Sequence, residues 1–320
     1  MSPRRLTWLI SSSPLWRSSL DEKEELSRTT GLDLAWYFRR YFDALGPSWD
    51  AADLVNDYRD NVRRLARSPN MAFDEAWYRQ EYPAVDELVK GGKLESGWEH
   101  YVLQGANDFH NPNTWFDEKW YQQRYGEVAA AVKSGALSCG FEHFVLYGIR
   151  QDFAPSMLFN ACWYRQQYYS RDQRERYPVV DYLSTKPKLR PCPTPLFDPA
   201  WYSTQYLSRT ESPDKQYNFS AFEHYLLMGR RLGYSPSVHF NELAYRQSYK
   251  EAEAAVESGR YKSGLEHFIS EGALNGNVAL SHLKQAGVDY AAPPFLEAYQ
   301  RSVALNIRQI AGIRDVAEQG

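Results

Sequence analysis

One block of sequence is copied along most of this chain, and the copying limits the fold more than any other feature. Phe73-Asp74-Glu75-Ala76-Trp77-Tyr78-Arg79-Gln80-Glu81-Tyr82 returns as Phe116-Asp117-Glu118-Lys119-Trp120-Tyr121-Gln122-Gln123-Arg124-Tyr125. Further copies begin at Phe159-Asn160, Phe197-Asp198 and Phe240-Asn241, and a degenerate one at Leu32-Asp33 keeps Trp36, Tyr37 and Tyr41. Successive starts lie 41, 43, 43, 38 and 43 residues apart. A second block stands 27 residues after the Phe in four units: Glu99-His100-Tyr101, Glu142-His143-Phe144, Glu223-His224-Tyr225 and Glu266-His267-Phe268. Each of these His is followed five residues later by Gly105, Gly148, Gly229 or Gly272, while the other two units carry Asp57-Tyr58 and Asp181-Tyr182 in the same slot. Pro69, Pro112, Pro155, Pro193 and Pro236 each precede the next Phe by four residues. A period of this size marks a stack of supersecondary units, none of which can bury its apolar face alone.

Each block has a local reading. The Asp or Asn after Phe is a good N-cap, accepting from the first free N–H groups of a helix. Within that helix, Phe73 with Trp77 and Tyr78 with Tyr82 stand at i, i+4, which gathers rings on one face. Pro83 suits the start of a second helix and Gly91-Gly92 its end. Ser96-Gly97-Trp98-Glu99 is a capping box for a third, repeated at Ser220–Glu223 and Ser263–Glu266, with Cys139 replacing Ser before Glu142. Gly105 and its equivalents are then expected to end the third helix at C′. No long stretch alternates with period two, so the expected fold is all-α: tandem three-helix repeats of about 43 residues, solenoid-like or compact. Helices of about 8–10 residues do not persist alone in water, so packing between units must hold them.

The array is expected over residues 32–280, with units starting near 32, 73, 116, 159, 197 and 240. Residues 1–31 read as a polar, partly disordered lead-in, too weakly apolar for a signal peptide. Residues 281–320 read as a linker and an amphipathic helix. Pro293-Pro294 breaks the chain, and Leu296, Tyr299, Val303, Ile307, Ile310 and Ile313 then fall near one stripe, with Arg301, Arg308 and Arg314 off it. That helix either covers the open end of the array or docks a partner.

Composition narrows the function classes. A net charge of −3 leaves no electrostatic footprint for nucleic acid, and no apolar run reaches the ~18 residues of a membrane span. Three cysteines with no CxxC spacing make a disulfide framework unexpected and a reducing, cytoplasmic setting the default. The chain is rich in rings, and the motif slots hold 31 of its 49 aromatic residues. Most of the excess is therefore one motif copied along the array.

Among candidate sites, His100, His143, His224 and His267 could be read as repeated metal or acid/base positions. The alternative has Glu closing a capping box and His packing beside it, which accounts for both residues. Trp36, Trp77, Trp120, Trp163 and Trp201 are read as structural anchors, the alternative being a ladder that stacks sugar rings. Arg63, Arg64, Arg230 and Arg231 stand in equivalent loops where a partner could be held. With Leu296, Tyr299, Val303, Ile307 and Ile310 they form the candidate partner contacts. No phosphate-binding glycine loop, nucleophile elbow, HExxH or EF-hand loop occurs, and no cofactor or metal is expected.

The pattern F-D-x-x-W-Y-x-x-x-Y, then E-H-Y/F-x-x-x-G and a loop proline, resembles a bacterial repeat of large surface-polysaccharide proteins. Similar units there flank glycosyltransferase domains, and related ones accompany secreted calcium-binding repeat proteins. The resemblance covers about residues 32–280 and implies no catalytic residues. It departs from the usual form where a Y-P-D-V-type segment survives only as Tyr82-Pro83-Ala84-Val85 and Tyr177-Pro178-Val179-Val180. The expectation is a non-catalytic scaffold for protein–protein association near envelope-polysaccharide synthesis. Its partner would be a glycosyltransferase or envelope-assembly protein, and it could lie against the inner membrane through that partner. Carbohydrate binding through exposed rings, or service as an accessory region to a glycosyltransferase encoded elsewhere, are the alternatives.

Overall fold

The computed structural model describes residues 31–42, 49–170, 173, 176–186, 189–207, 220–272, 275 and 277. Among the described residues all regular structure is helical: fifteen α-helices with short π- and 3₁₀-helical turns, and no strand. They divide into two compact units. One comprises residues up to Cys162 with Ser170–Ser184; the other comprises Trp163–Tyr169 and the chain from Thr185 onward.

Three segments show a leading, a middle and a closing helix. From Phe73 these are Glu75–Glu81, Pro83–Lys90 and Gly97–His100; from Phe116, Glu118–Arg124, Gly126–Lys133 and Gly140–Leu146; from Phe240, Glu242–Ser248, Lys250–Glu257 and Gly264–His267. The segment from Phe197 has a leading helix Pro199–Tyr202 and a closing helix Ala221–His224. The segment from Leu32 pairs Leu34–Tyr41 with one longer helix, Ala51–Leu65. The segment from Phe159 contains the helices Ala161–Tyr168 and Pro178–Ser184.

The leading helices start where a capping side chain allows it. Asp33, Asp74, Asp117, Asp198 and Asn241 each accept the N–H three residues on, at 2.9–3.1 Å. The N–H of four of these caps donates in turn to the carbonyl of Pro69, Pro112, Pro155 or Pro236, so the loop after the closing helix returns to the head of its own segment. Pro83 occupies the first position of its helix, where its missing N–H costs nothing. Gly92, Gly135 and Gly259 follow the middle helices at φ between 71° and 76°, a left-handed turn that glycine takes without a Cβ clash.

Two expectations for the closing helix need correction. Ser96, Cys139, Ser220 and Ser263 do act as N-caps, but the reciprocal capping box closes only between Ser220 and Glu223. Glu99, Glu142 and Glu266 accept instead from the N–H of Glu95, Ser138 and Lys262, one residue earlier. The cause is backbone geometry: Ser220 sits at φ −75°, while the other three caps are extended near −160°, which turns their own N–H away from the helix. Nor do the glycines after His end a helix by a left-handed turn. Gly105, Gly229 and Gly272 close π-helical turns, and none has positive φ.

Contacts between consecutive segments recur within each unit. The Tyr58 hydroxyl lies beside Ser96, that of Tyr101 beside Cys139 and that of Tyr225 beside Ser263. Within segments, Asn70 donates to the Gly31 carbonyl at 2.9 Å and Asn113 to that of Ala72 at 2.7 Å, which joins each loop to the residue just before its own segment's head. No described helix is long and apolar enough to cross a membrane. The amphipathic stretch with Leu296, Tyr299, Val303, Ile307 and Ile310 lies outside the described residues.

Candidate functional site

The tyrosine after the tryptophan slot, which holds Ala244 in the segment from Phe240, is the centre of each segment. Tyr37, Tyr78, Tyr121, Tyr164, Tyr202 and Tyr245 are all at most 1% exposed. A ring of that size buried whole removes a large apolar area from water, but its hydroxyl needs a partner. The histidine slot supplies it. Tyr78, Tyr121, Tyr202 and Tyr245 hold their hydroxyl oxygens 2.9–3.0 Å from Nδ1 of His100, His143, His224 and His267, respectively. In the degenerate first segment Tyr37 donates to Asp57 at 2.8 Å, and Arg67 pairs with the same carboxylate. An aspartate in this slot therefore serves the same tyrosine.

The glycine five residues after His belongs to this clamp. A Cβ there would fall 2.2 Å from the Tyr78 oxygen at Gly105, 2.5 Å from Tyr121 at Gly148, and 2.1 Å from Tyr202 and Tyr245 at Gly229 and Gly272. Real Cβ atoms do not approach an oxygen so closely, so close approach rather than backbone conformation demands glycine here.

A second clamp comes from the leading helix. Glu75, Glu118 and Glu242 are fully buried, and each carboxylate accepts from two backbone N–H groups at the start of its own segment's closing helix. Glu75 takes Gly97 at 2.6 Å and Trp98 at 3.0 Å; Glu118 takes Gly140 and Phe141; Glu242 takes Gly264 and Leu265. These donors are among those a helix cannot satisfy itself. Burial pushes the three carboxyls up to about 7, against the pull of the N–H donors. Gly97, Gly140 and Gly264 admit the carboxylate, since a Cβ on them would come within 2.8–3.2 Å of it. The segment from Phe197 carries Pro199 in place of Glu and Ala221 in place of Gly. Glutamate and glycine thus come and go together.

Of the residues singled out in the sequence, the histidines lie in the clamps, and burial holds His100, His143 and His267 below the ordinary imidazole range. Trp77 is buried, while Trp36, Trp120, Trp163 and Trp201 stay partly in solvent. Each of the five stands edge-on to the closing tyrosine of its helix, with ring centroids 5.8–6.3 Å apart. The most buried anchor is thus the adjacent tyrosine. Arg63, Arg64 and Arg231 are exposed. Arg230 is not a free partner contact: it is 7% exposed and bonds Glu266 at 2.9 Å, because its neighbour's carboxylate faces it across the inter-segment boundary. Glu75, Glu118 and Glu242 stand in the first turns of their helices, and nothing local in sequence marks them as clamps. Their signal is the Glu–Gly pairing at a fixed distance of 22 residues.

Chemically, both clamps fasten one helix to another. Burial pushes the Tyr78, Tyr121 and Tyr202 hydroxyls up and that of Tyr245 to about 12, so each keeps its proton. The Cys139 thiol is likewise pushed well up by burial and serves as a neutral cap. Among the described residues no group of three or more His, Cys, Asp or Glu is placed to hold a metal ion. Compared with known proteins, the chain matches no family model, and no curated protein or solved structure shows significant similarity to it.

Proposed function

We propose that the chain is a non-catalytic scaffold of six tandem helical units of about 43 residues, whose outer surface binds a protein partner. One observation carries this reading: the recurrent polar groups are engaged inside the molecule. The Tyr–His clamp, the Glu–backbone clamp and the Asp caps use them within single segments. What differs from copy to copy is then what a partner can read. The resemblance of the motif supplies the setting, surface-polysaccharide synthesis, with a glycosyltransferase or assembly protein as the partner at the cytoplasmic face of the inner membrane.

Crosslinking of the natively expressed chain, followed by identification of the joined peptides, tests it. Stoichiometric crosslinks to one enzyme or assembly protein of that pathway are expected. A chain that elutes alone, or that turns over a nucleotide sugar unaided, overturns the reading.

A second reading, carbohydrate binding, is favoured by the partial exposure of Trp36, Trp120, Trp163 and Trp201. Gln123 and Gln166 are exposed three residues after Trp120 and Trp163. An indole face beside an amide suits a sugar, which offers C–H groups to the ring and hydroxyls to the amide. A soluble polysaccharide should then shift tryptophan emission in the wild type and less so in Trp120→Ala. Emission indifferent to every polysaccharide tried removes the reading.

A further inference from the structure

The segment from Phe73 differs from its counterparts at one polar position. Ten residues after the histidine, the other three histidine-bearing segments carry Phe153, Tyr234 and Asn277; this one carries His110. Its ring stacks on Tyr82 with centroids 3.8 Å apart, as Phe153 stacks on Tyr125 and Tyr234 on Tyr206. Unlike those two it also reaches the clamp. The Tyr78 hydroxyl oxygen lies 2.9 Å from Nδ1 of His100 and 2.9 Å from Nδ1 of His110, and the two imidazole centroids are 5.5 Å apart.

A tyrosine hydroxyl has one proton to donate. With both rings neutral, one Nδ1 accepts that proton's bond and the other donates its own N–H to the oxygen. The two rings must therefore hold opposite tautomers. One more proton, on the accepting Nδ1, leaves two N–H groups aimed at one oxygen. The hydroxyl proton must then turn away from both, and the new charge sits beside a second imidazole. Where a single His faces the tyrosine, as at Tyr121 and Tyr202, protonation only reverses the direction of one bond.

The charged groups around the pair pull in both directions. Asp108 faces both imidazoles and favours their protonated forms, while Lys119, on the next leading helix, opposes a charge on His110. Glu75 and Tyr82, on the helix of Tyr78, face the hydroxyl together with Asp108. Burial outweighs Asp108 and holds both rings below the ordinary imidazole range.

The connector that bears His110 ties two leading helices together. Asn111 N–H donates to the Tyr82 hydroxyl at 2.8 Å, and Asn111 Oδ1 accepts from Glu118 N–H at 2.8 Å. Phe109, just before His110, is held at φ 59° and is 44% exposed. That conformation is strained for a bulky side chain. The equivalent positions are Asp152 at φ 54° and Gly233 at φ 73°, types that adopt it more readily. The connector is thus strained beside the residue that fastens it.

We propose that Tyr78, His100 and His110 form an acid-released latch that holds the Gly105–Asn113 connector, and with it the head of the helix at Glu118, at neutral pH and lets it go in mild acid. Amide hydrogen exchange of the whole chain, expressed as protection factors at about pH 7.5 and about pH 5.5, tests it. Protection in the His110 connector should fall about tenfold or more in acid relative to the connector around Phe153, which is the internal reference. His110→Phe, the residue its counterpart already holds, should abolish the difference. Should that variant fold poorly, His110→Asn, matching Asn277, replaces it. Two connectors that respond alike in the wild type, or a response that survives loss of His110, overturn the proposal. In a parallel NMR titration the two imidazoles should protonate in two linked steps below the ordinary histidine range, and independent titration within that range overturns it as well.

Discussion

A Cβ on Gly105 would fall 2.2 Å from the hydroxyl oxygen of Tyr78, and 3.2 Å from Nδ1 of its partner His100. The tyrosine cannot retreat without breaking its bond to His100, so the backbone of the closing helix must yield instead. Gly105→Ala is expected to lower unfolding stability by about 1–3 kcal/mol, the cost of overpacking a filled core. Urea denaturation checks this. Tyr78→Phe removes the oxygen that clashes, so the double variant should lose less than the sum of the two single ones. A Gly105→Ala chain as stable as wild type would show that the close approach is not what selects glycine.

Glu118 gives a pH dependence with a definite sign. Its carboxyl ordinarily titrates near 4.5 and is raised to about 7 by burial in the folded chain. Between those values the folded state holds a proton that the unfolded state has lost, so this group's contribution to stability falls as pH rises from about 4.5 to about 7. His100, His143 and His267 work the other way. Their values fall below 6.5 on folding, and stability is lost as pH drops through that range. The comparison with Glu118→Gln isolates the carboxyl. Relative to that variant, the wild type should gain on the order of 1–3 kcal/mol on moving from pH 7.5 to pH 5. Denaturant titrations at both pH values read the difference, and parallel profiles would contradict the assignment.

The helix starts were legible because capping is local. Asp74 and Ser96 announce themselves by position, and Pro83 fixes the first residue of its helix. Glu75 illustrates what was not legible. As a lone acidic residue in a first turn it reads as an ordinary dipole-favoured choice, and nothing near it in sequence names Gly97 and Trp98 as its donors. The same holds for Gly105, whose requirement comes from a hydroxyl 27 residues earlier in the chain. Trp77 and Tyr78 show a third limit. Both are large rings in fixed slots, and only packing reveals that the tyrosine is always buried while four of the five tryptophans keep part of their surface in solvent.

The segment from Phe197 offers a way to build the missing clamp. It has Pro199 where the segments from Phe73, Phe116 and Phe240 have glutamate, and Ala221 where they have glycine. Pro199→Glu alone should bury a carboxylate against the Ala221 methyl, and Ala221→Gly alone should cost about 0.5–1 kcal/mol in helix propensity. Together they restore the pairing, so a double-mutant cycle should show favourable coupling of about 1 kcal/mol or more. Strict additivity in urea unfolding would mean that the Glu–Gly pairing elsewhere has another cause.

Arg230 and Arg231 are adjacent in sequence and opposite in role. Arg231 is exposed, and an exposed cation contributes little, so Arg231→Ala should cost about 1 kcal/mol or less. Arg230 is buried against Glu266, which also accepts the Lys262 N–H at 2.8 Å and so cannot swing into water without giving up that bond. Arg230→Ala leaves a buried carboxylate without its cation and should cost about 3–5 kcal/mol. Neutralising the orphan should recover part of that loss, so Arg230→Ala with Glu266→Gln is expected to be more stable than Arg230→Ala alone. Thermal and urea unfolding of the four proteins decide it. Equal losses at Arg230 and Arg231 would place the pair at the surface, whereas a large loss at Arg230 that Glu266→Gln partly reverses identifies it as a fastening between consecutive segments.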